Sequence, residues 1–121
     1  MIDPVELTQT RVFARLAAAD LGCPVYGDPL GGKDRPYAAI DVRISGREGV
    51  LELHVWSDYR GEKEALAILN AAYPHLHRRR LVSEQGVAVM AIHQETAVQI
   101  EENGSVRHGQ ASYRLLVRQR A

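Results

Sequence analysis

Apolar and polar positions along this chain repeat with two different periods, and the changes of period mark its elements. From about residue 4 to 21, Val5, Val12, Leu16 and Ala19, with Phe13 beside them, recur at helical spacing. Asp3 supplies an N-cap, Pro4 fits the first helical position and Glu6 the third. Gly22 and Pro24 supply the stop. A short strand is expected over 24–26. The stretch 27–36 then reads GDPLGGKDRP, dense in turn residues, and predicts a loop.

The period next falls to two. With a four-residue turn at Ser45-Gly46-Arg47-Glu48, Ile44 faces Gly49, Val42 faces Leu51, Ile40 faces Leu53 and Ala38 faces Val55. One face of this hairpin is then apolar. The other is mixed, pairing Arg43 with Val50, Asp41 with Glu52, Ala39 with His54 and Tyr37 with Trp56. The opposed carboxylates of Asp41 and Glu52 are unfavourable, so solvent screening or a basic neighbour must relieve them.

A second helix follows, capped by Ser57 or Asp58, with Ala65, Leu66, Leu69, Ala72 and Tyr73 as its buried stripe. Pro74 is expected to end or kink it, and 75–80 reads as a polar, basic connector. Asn103-Gly104 is a strong hairpin signal. Folding the last third about it sets Met90 against Val117, Ile92 against Leu115, Gln94 against Tyr113 and Thr96 against Ala111. The opposite face carries His93 with Arg114, Glu95 with Ser112 and Gln99 with His108.

This second hairpin is long. A strand over 87–102 would reach about 50 Å at roughly 3.3 Å per residue, against a usual about 17–20 Å. One small domain cannot cover that length. Either a bulge bends the ribbon back, or its tip, where Val98 and Ile100 face Gly109 and Arg107, reaches another subunit. The order helix, short strand, hairpin, helix, long hairpin predicts an α+β fold, an antiparallel sheet of two hairpins with two helices packed on one face.

Composition narrows the class without naming a function. The 121 residues, 45% apolar and 25% charged, suit one soluble domain over 1–121 that needs no staple. Fifteen basic residues balance fifteen acidic ones, which argues against a free-standing nucleic-acid binder. A single cysteine excludes a disulfide scaffold and any multi-cysteine zinc module. No apolar run is long enough to span a membrane. The opening MIDPVELTQT is acidic, unlike a secretory or transit leader, so the cell interior is the expected compartment.

Candidate chemistry is thin. Gly27-x-x-x-x-Gly32-Lys33 matches a phosphate-binding loop until Asp34 stands where a hydroxyl should hold magnesium, and a strand follows where a helix is needed. Cys23 falls at a helix C-terminus, where the dipole disfavours a thiolate. His75-x-His77 has metal-pair spacing only in a strand, and no further ligand lies near in sequence. His54 with Asp41 and Glu52 is the best acid–base cluster, on an open sheet face. Arg78-Arg79-Arg80 reads equally as a partner-steering patch or a solvated connector. Tyr37 and Trp56 form either an interface anchor or an ordinary edge cluster.

One resemblance spans nearly the whole chain. The strand Leu53-His54-Val55-Trp56-Ser57 leads into Gly61-Glu62-Lys63-Glu64-Ala65 at a helix start, and Gly104-Ser105-Val106-Arg107-His108-Gly109 joins the last two strands. This order resembles the small tail-completion proteins of long-tailed bacteriophages and of gene transfer agents, a family once known only as an uncharacterised domain. It is similar to the tail terminator of phage lambda. The resemblance implies a non-enzymatic virion protein at the head–tail junction, assembled in the host cytoplasm. It implies a hexameric ring that caps the tail tube, stops its polymerisation and joins it to the head connector. The implied partners are sibling subunits, the tail tube protein, a connector or stopper protein, and DNA that passes through without specific binding. No membrane, cofactor, metal or catalytic residue is implied. An adaptor or stopper is the alternative reading, and a small hydrolase or nucleotide-binding enzyme using His54 or Lys33 is a third. The expected subunit interface comprises Val98, Ile100, Arg107, His108, Trp56 and Tyr37. The expected partner-facing loops carry Lys33, Asp34, Arg35, Arg47, Glu48, Arg78, Arg79 and Arg80.

Overall fold

A computed structural model describes residues 3–27, 35–58, 62–100 and 106–119. Helix α1 spans Pro4–Ala18, and Asp3 caps it by accepting a hydrogen bond from the Val5 N–H. Val12 and Leu16 are buried as the spacing requires, together with Thr8, whereas Phe13 is exposed. The helix ends about a turn before Gly22. Asp20 adopts a positive φ of 37°, and the redirected chain buries Leu21 in the core. Burial of Leu21 outweighs one more helical turn.

Six strands form one sheet in the order β1-β2-β3-β6-β5-β4. They are β1 (Val25–Tyr26), β2 (Tyr37–Ser45), β3 (Glu48–Ser57), β4 (Arg80–Glu84), β5 (Val87–Ile100) and β6 (Arg107–Gln119). All neighbours are antiparallel except β1 and β2, so the sheet is mixed. The first hairpin has the expected register, from Tyr37 against Trp56 to Ile44 against Gly49. Its turn is shorter than expected, because Ser45 also pairs with Glu48 and leaves Gly46, at φ 65°, at the bend.

Strand β4 is absent from the sequence-based reading. Arg80 is not connector but the first residue of a strand that turns through Gln85 (φ 52°) and Gly86 (φ 79°) into β5. Leu81 and Val82 are buried there. The signal was present: a short apolar pair, a Gly-containing turn, then Val87-Ala88-Val89. Three arginines in a row, which read as solvated, mask it.

The long hairpin follows the expected register only near its tip, where Thr96 faces Ala111, Val98 faces Gly109 and Ile100 faces Arg107. A bulge between His93 and Glu95 inserts one residue, so Val89 faces Val117, Ala91 faces Leu115 and His93 faces Tyr113. Val87, Val89 and Ala91 are therefore the buried residues, not Met90 and Ile92. A one-residue slip exchanges the two faces of a strand. The bulge lets the wet tip and the dry base each keep their apolar side chains on one face.

Helix α2 (Lys63–Leu76) begins later than a Ser57 or Asp58 cap would place it. Ser57 is buried at the end of β3, and its hydroxyl donates to Glu64 Oε1 at 2.6 Å. Pro74 does not end the helix: Leu76 is fully buried two residues later, and the His77 N–H donates to the Tyr73 carbonyl. The buried stripe is Ala65, Ile68, Leu69, Ala72 and Leu76, rotated from the expected one, with Tyr73 exposed. Both helices lie on the sheet face built from Ile40, Leu51, Leu53, Val55, Tyr113 and Leu115. Helix α1 packs against both β2 and β4 although they lie far apart in the sheet order, so the sheet curls around it. Arg11 pairs with Glu84, and Arg15 donates to the Arg80 carbonyl, fastening α1 to β4. Among the described residues, no helix is long and apolar enough to cross a membrane.

Candidate assembly surfaces

The helix-free face of the sheet brings together Tyr37, Trp56 and His108 of the expected interface, with His54, Asp41 and Glu52 of the acid–base cluster. At one end the rings form a continuous stack. Tyr26 meets Tyr37 edge-on with centroids 5.9 Å apart, Tyr37 stacks on Trp56 at 4.9 Å, and Trp56 lies nearly parallel to His108 at 4.7 Å. His54 closes the group, with its Nδ1 2.9 Å from His108 Nε2. At that separation one of the two facing nitrogens donates and the other accepts. Three successive strands contribute: Tyr37 from β2, Trp56 and His54 from β3, and His108 from β6. Their cross-strand pairing places the rings side by side. Tyr37 is only 3% exposed and Trp56 is half-buried. The ring faces turn toward one another, so this is a rigid edge rather than a platform for stacking bases.

Below the stack lies a polar band. Arg43 reaches Glu52 at 3.2 Å and Asp41 at 3.5 Å, and the Gln110 amide donates to Glu52 Oε2 at 2.9 Å. Arg43 is thus the basic neighbour that relieves the opposed carboxylates. Glu52 also approaches His54 Nε2 at 3.5 Å. Both oxygens of Glu52 are already engaged, which leaves no free base aimed at a substrate position. A shallow hollow of about 220 Å³, lined by Glu95, Ala97, Gln99, His108, Gln110 and Ser112, adjoins the band. Among the described residues, no hydrogen bond joins its Ser112 hydroxyl to a base.

The remaining chemical candidates are occupied structurally. Burial, reinforced by nearby Glu64, pushes the Cys23 thiol up to about 11, which makes it a poor nucleophile. His77 Nδ1 accepts the His93 backbone N–H at 3.0 Å, so the expected partner of His75 serves the sheet. Among the described residues no group of three His, Cys, Asp or Glu side chains could hold a metal. Lys33, Asp34 and most of the phosphate-loop-like motif lie outside the described residues, as does Asn103-Gly104.

The basic residues of the expected loops are spread around the fold. Arg35 pairs with Asp58. Arg47 sits in the first turn, its carbonyl accepting from the Val117 N–H at 2.8 Å, and Glu48 pairs with Arg114. Arg78 and Arg79 exchange backbone hydrogen bonds with Ala91, bridging α2 to β5, while their side chains are exposed. At the ribbon tip Val98 is half-buried against the core, Arg107 and His108 are half-buried, and Ile100 is 64% exposed.

Sequence reasoning missed a cluster at the bulge. Tyr73, His77, His93 and Tyr113 meet ring to ring, with His93 and Tyr113 centroids 5.3 Å apart. His93 Nε2 lies 2.7 Å from Thr96 Oγ1, bracing the bulge from the far side. Tyr113 is fully buried, and its hydroxyl has no hydrogen-bond partner among the described residues. Only the bulge brings His93 onto this face, so no periodic pattern pointed to it.

No family model matches the sequence, and neither does any curated protein. Solved structures do match. A chain in the virion of a native gene transfer agent particle superposes with a TM-score of 0.70 at 23% identity, over 91% of this chain and 93% of that one. The bacteriophage SPP1 gp17 protein superposes with a TM-score of 0.56 at 17% identity, over 93% and 89%. The chain has the fold of phage-type particle proteins. Both matches span about nine-tenths of both partners, so the likeness covers the fold as a whole rather than a fragment.

Proposed function

We propose that the chain is a structural, non-enzymatic component of a phage-type tail, a tail terminator. It acts as a ring of sibling subunits at the head–tail junction, caps the tail tube, stops its polymerisation and joins it to the head connector. The observation that carries this reading is the superposition, over 91% of this chain, on a chain of the gene transfer agent virion. The physical character of the chain supports it. A capping ring needs a rigid subunit with a heterologous self-contact that closes, and faces that meet different neighbours. The stacked ring edge of Tyr37, Trp56 and His108 is stiff, and Ile100 at the ribbon tip is a large apolar side chain left in water. Balanced charge suits a body held between other protein rings.

Electron microscopy of particles assembled without this chain tests the reading. Tails of uncontrolled length, left unjoined to heads, are the expected outcome. Tails of normal length that detach only from heads would instead indicate an adaptor or stopper, and normal particles would end the proposal.

A further inference from the structure

We propose that the outer edge of β5 from Thr96 to Ile100 is a strand-addition site that accepts an extended segment of a different polypeptide, with apolar and basic side chains in alternation. The inference does not depend on the terminator reading, and its test reads the isolated protein rather than the particle.

Strand β5 is covered on its outer side over only part of its length. Strand β4 pairs with Val87 to Met90, and the α2 connector then takes over. There the Arg78 N–H donates to the Ala91 carbonyl at 2.7 Å, the Ala91 N–H donates to the Arg79 carbonyl at 3.3 Å, and the His93 N–H donates to His77 Nδ1. Beyond His93 no strand lies beside β5 among the described residues.

The backbone groups that point outward follow from the pairing. Val117 turns its N–H toward Arg47, so Tyr113, Ala111 and Gly109 of the same parity face β3, and Ser112, Gln110 and His108 face β5. Glu95, Ala97 and Gln99, their partners, direct their backbone groups inward. Thr96, Val98 and Ile100 therefore present theirs to the open edge. Exposed edges are ordinarily guarded by charge, proline or a bulge. Here the bulge comes earlier, at Gln94, and the run Thr96-Ala97-Val98-Gln99-Ile100 carries no charge and no proline. An unguarded run with strong β-propensity is a template for another strand.

The two faces define the occupant. On the helix side a new strand would lie beside half-buried Val98 and exposed Ile100, which calls for apolar residues. On the open side it would lie beside Glu95, which is exposed and makes no ion pair among the described residues. The nearest arginines on that face, Arg43 and Arg114, are committed to Asp41, Glu52 and Glu48. A second copy of this edge would bring a second Glu95 to that face, whereas a basic strand complements it.

The test uses a blocked synthetic peptide, Thr-Val-Lys-Val-Lys-Val-Thr, and its counterpart with glutamate in place of lysine, with amide hydrogen exchange followed by NMR. The lysine peptide should slow exchange at Thr96, Val98 and Ile100 saturably, and the glutamate peptide should bind about fivefold more weakly. Val98→Pro removes an outward N–H without removing a β5–β6 bond, so it should abolish binding while leaving thermal unfolding unchanged. Ile100→Pro is the second variant should the first fail to fold. Glu95→Lys should reverse the peptide preference. No protection of those three amides by the lysine peptide, or an equal response in both proline variants, would overturn the site. Protection that grows with protein concentration in the absence of peptide would overturn the occupant in favour of a second copy.

Discussion

Gly109 of β6 lies directly under Leu69 of α2, so close that a Cβ there would stand 2.9 Å from Leu69 Cδ1 and 3.2 Å from the Ala65 Cβ. The missing side chain lets the helix approach the centre of the sheet. Gly109→Ala must push α2 outward or displace the Leu69 side chain, and the loss should be about 1–2 kcal/mol in urea-induced unfolding. Pairing it with Leu69→Ala should show strong non-additivity in a double-mutant cycle, because the second change empties the space the first one needs.

Arg78 holds a φ of 58°, a conformation that costs a residue bearing a Cβ about 1 kcal/mol. Its side chain is exposed, and its backbone N–H is what the sheet uses. Arg78→Gly should therefore raise stability by about 0.5–1 kcal/mol, read as an upward shift of the thermal midpoint.

Gln85-Gly86 turns β4 into β5 with both residues at positive φ, 52° and 79°. Asparagine tolerates that conformation better than glutamine. Gln85→Asn should stabilise the protein by a few tenths of a kcal/mol, roughly, measurable as a higher urea midpoint at constant m-value.

Burial drives the Tyr113 hydroxyl up to about 12 from an ordinary 10.0, and nearby Tyr73 adds to the effect. The Cys23 thiol is likewise raised, to about 11 from 9.0. In both cases the folded state holds the proton after the unfolded chain has released it. Stability is therefore fully present below about pH 9 and falls as the pH rises through 11 and 12. Tyr113→Phe removes a buried hydroxyl that lacks a partner among the described residues. It should leave stability at pH 7 unchanged or raise it by about 1 kcal/mol, and should flatten the alkaline decline seen in unfolding curves from pH 8 to 11.

Ile100 is 64% exposed at the tip of the ribbon. Ile100→Asp should change the stability of the isolated chain by less than about 0.5 kcal/mol. If this tip is an assembly surface, the same change should block incorporation into particles, scored by the presence of the chain in purified tails.

How much of this was legible beforehand depends on what each feature answers to. The first hairpin could be read residue by residue, because Ile40, Val42, Leu51, Leu53 and Val55 share one buried face and only one register puts them there. Helix α1 was legible from its cap and first turn, since Asp3 and Pro4 act on their immediate neighbours. The fold shared with a gene transfer agent virion chain likewise follows from the order of elements, much of which local patterns encode. What local patterns cannot encode is competition between distant segments. The bulge at Gln94 exists because His93 must meet Tyr113 and His77 while Thr96 must meet Ala111, and no uninterrupted strand satisfies both. Strand β4 formed behind a run of arginines because β5 had an edge to offer it. The Tyr37–Trp56–His108 stack depends on three strands arriving in one row. The chain by itself determined which residues turn inward in the first hairpin and, through Val12 and Leu16, on α1. Only the packed sheet decided where a strand had to slip by one residue, and which stretch of its edge was left without a neighbour, because both are settled by backbone hydrogen bonds between residues remote in sequence.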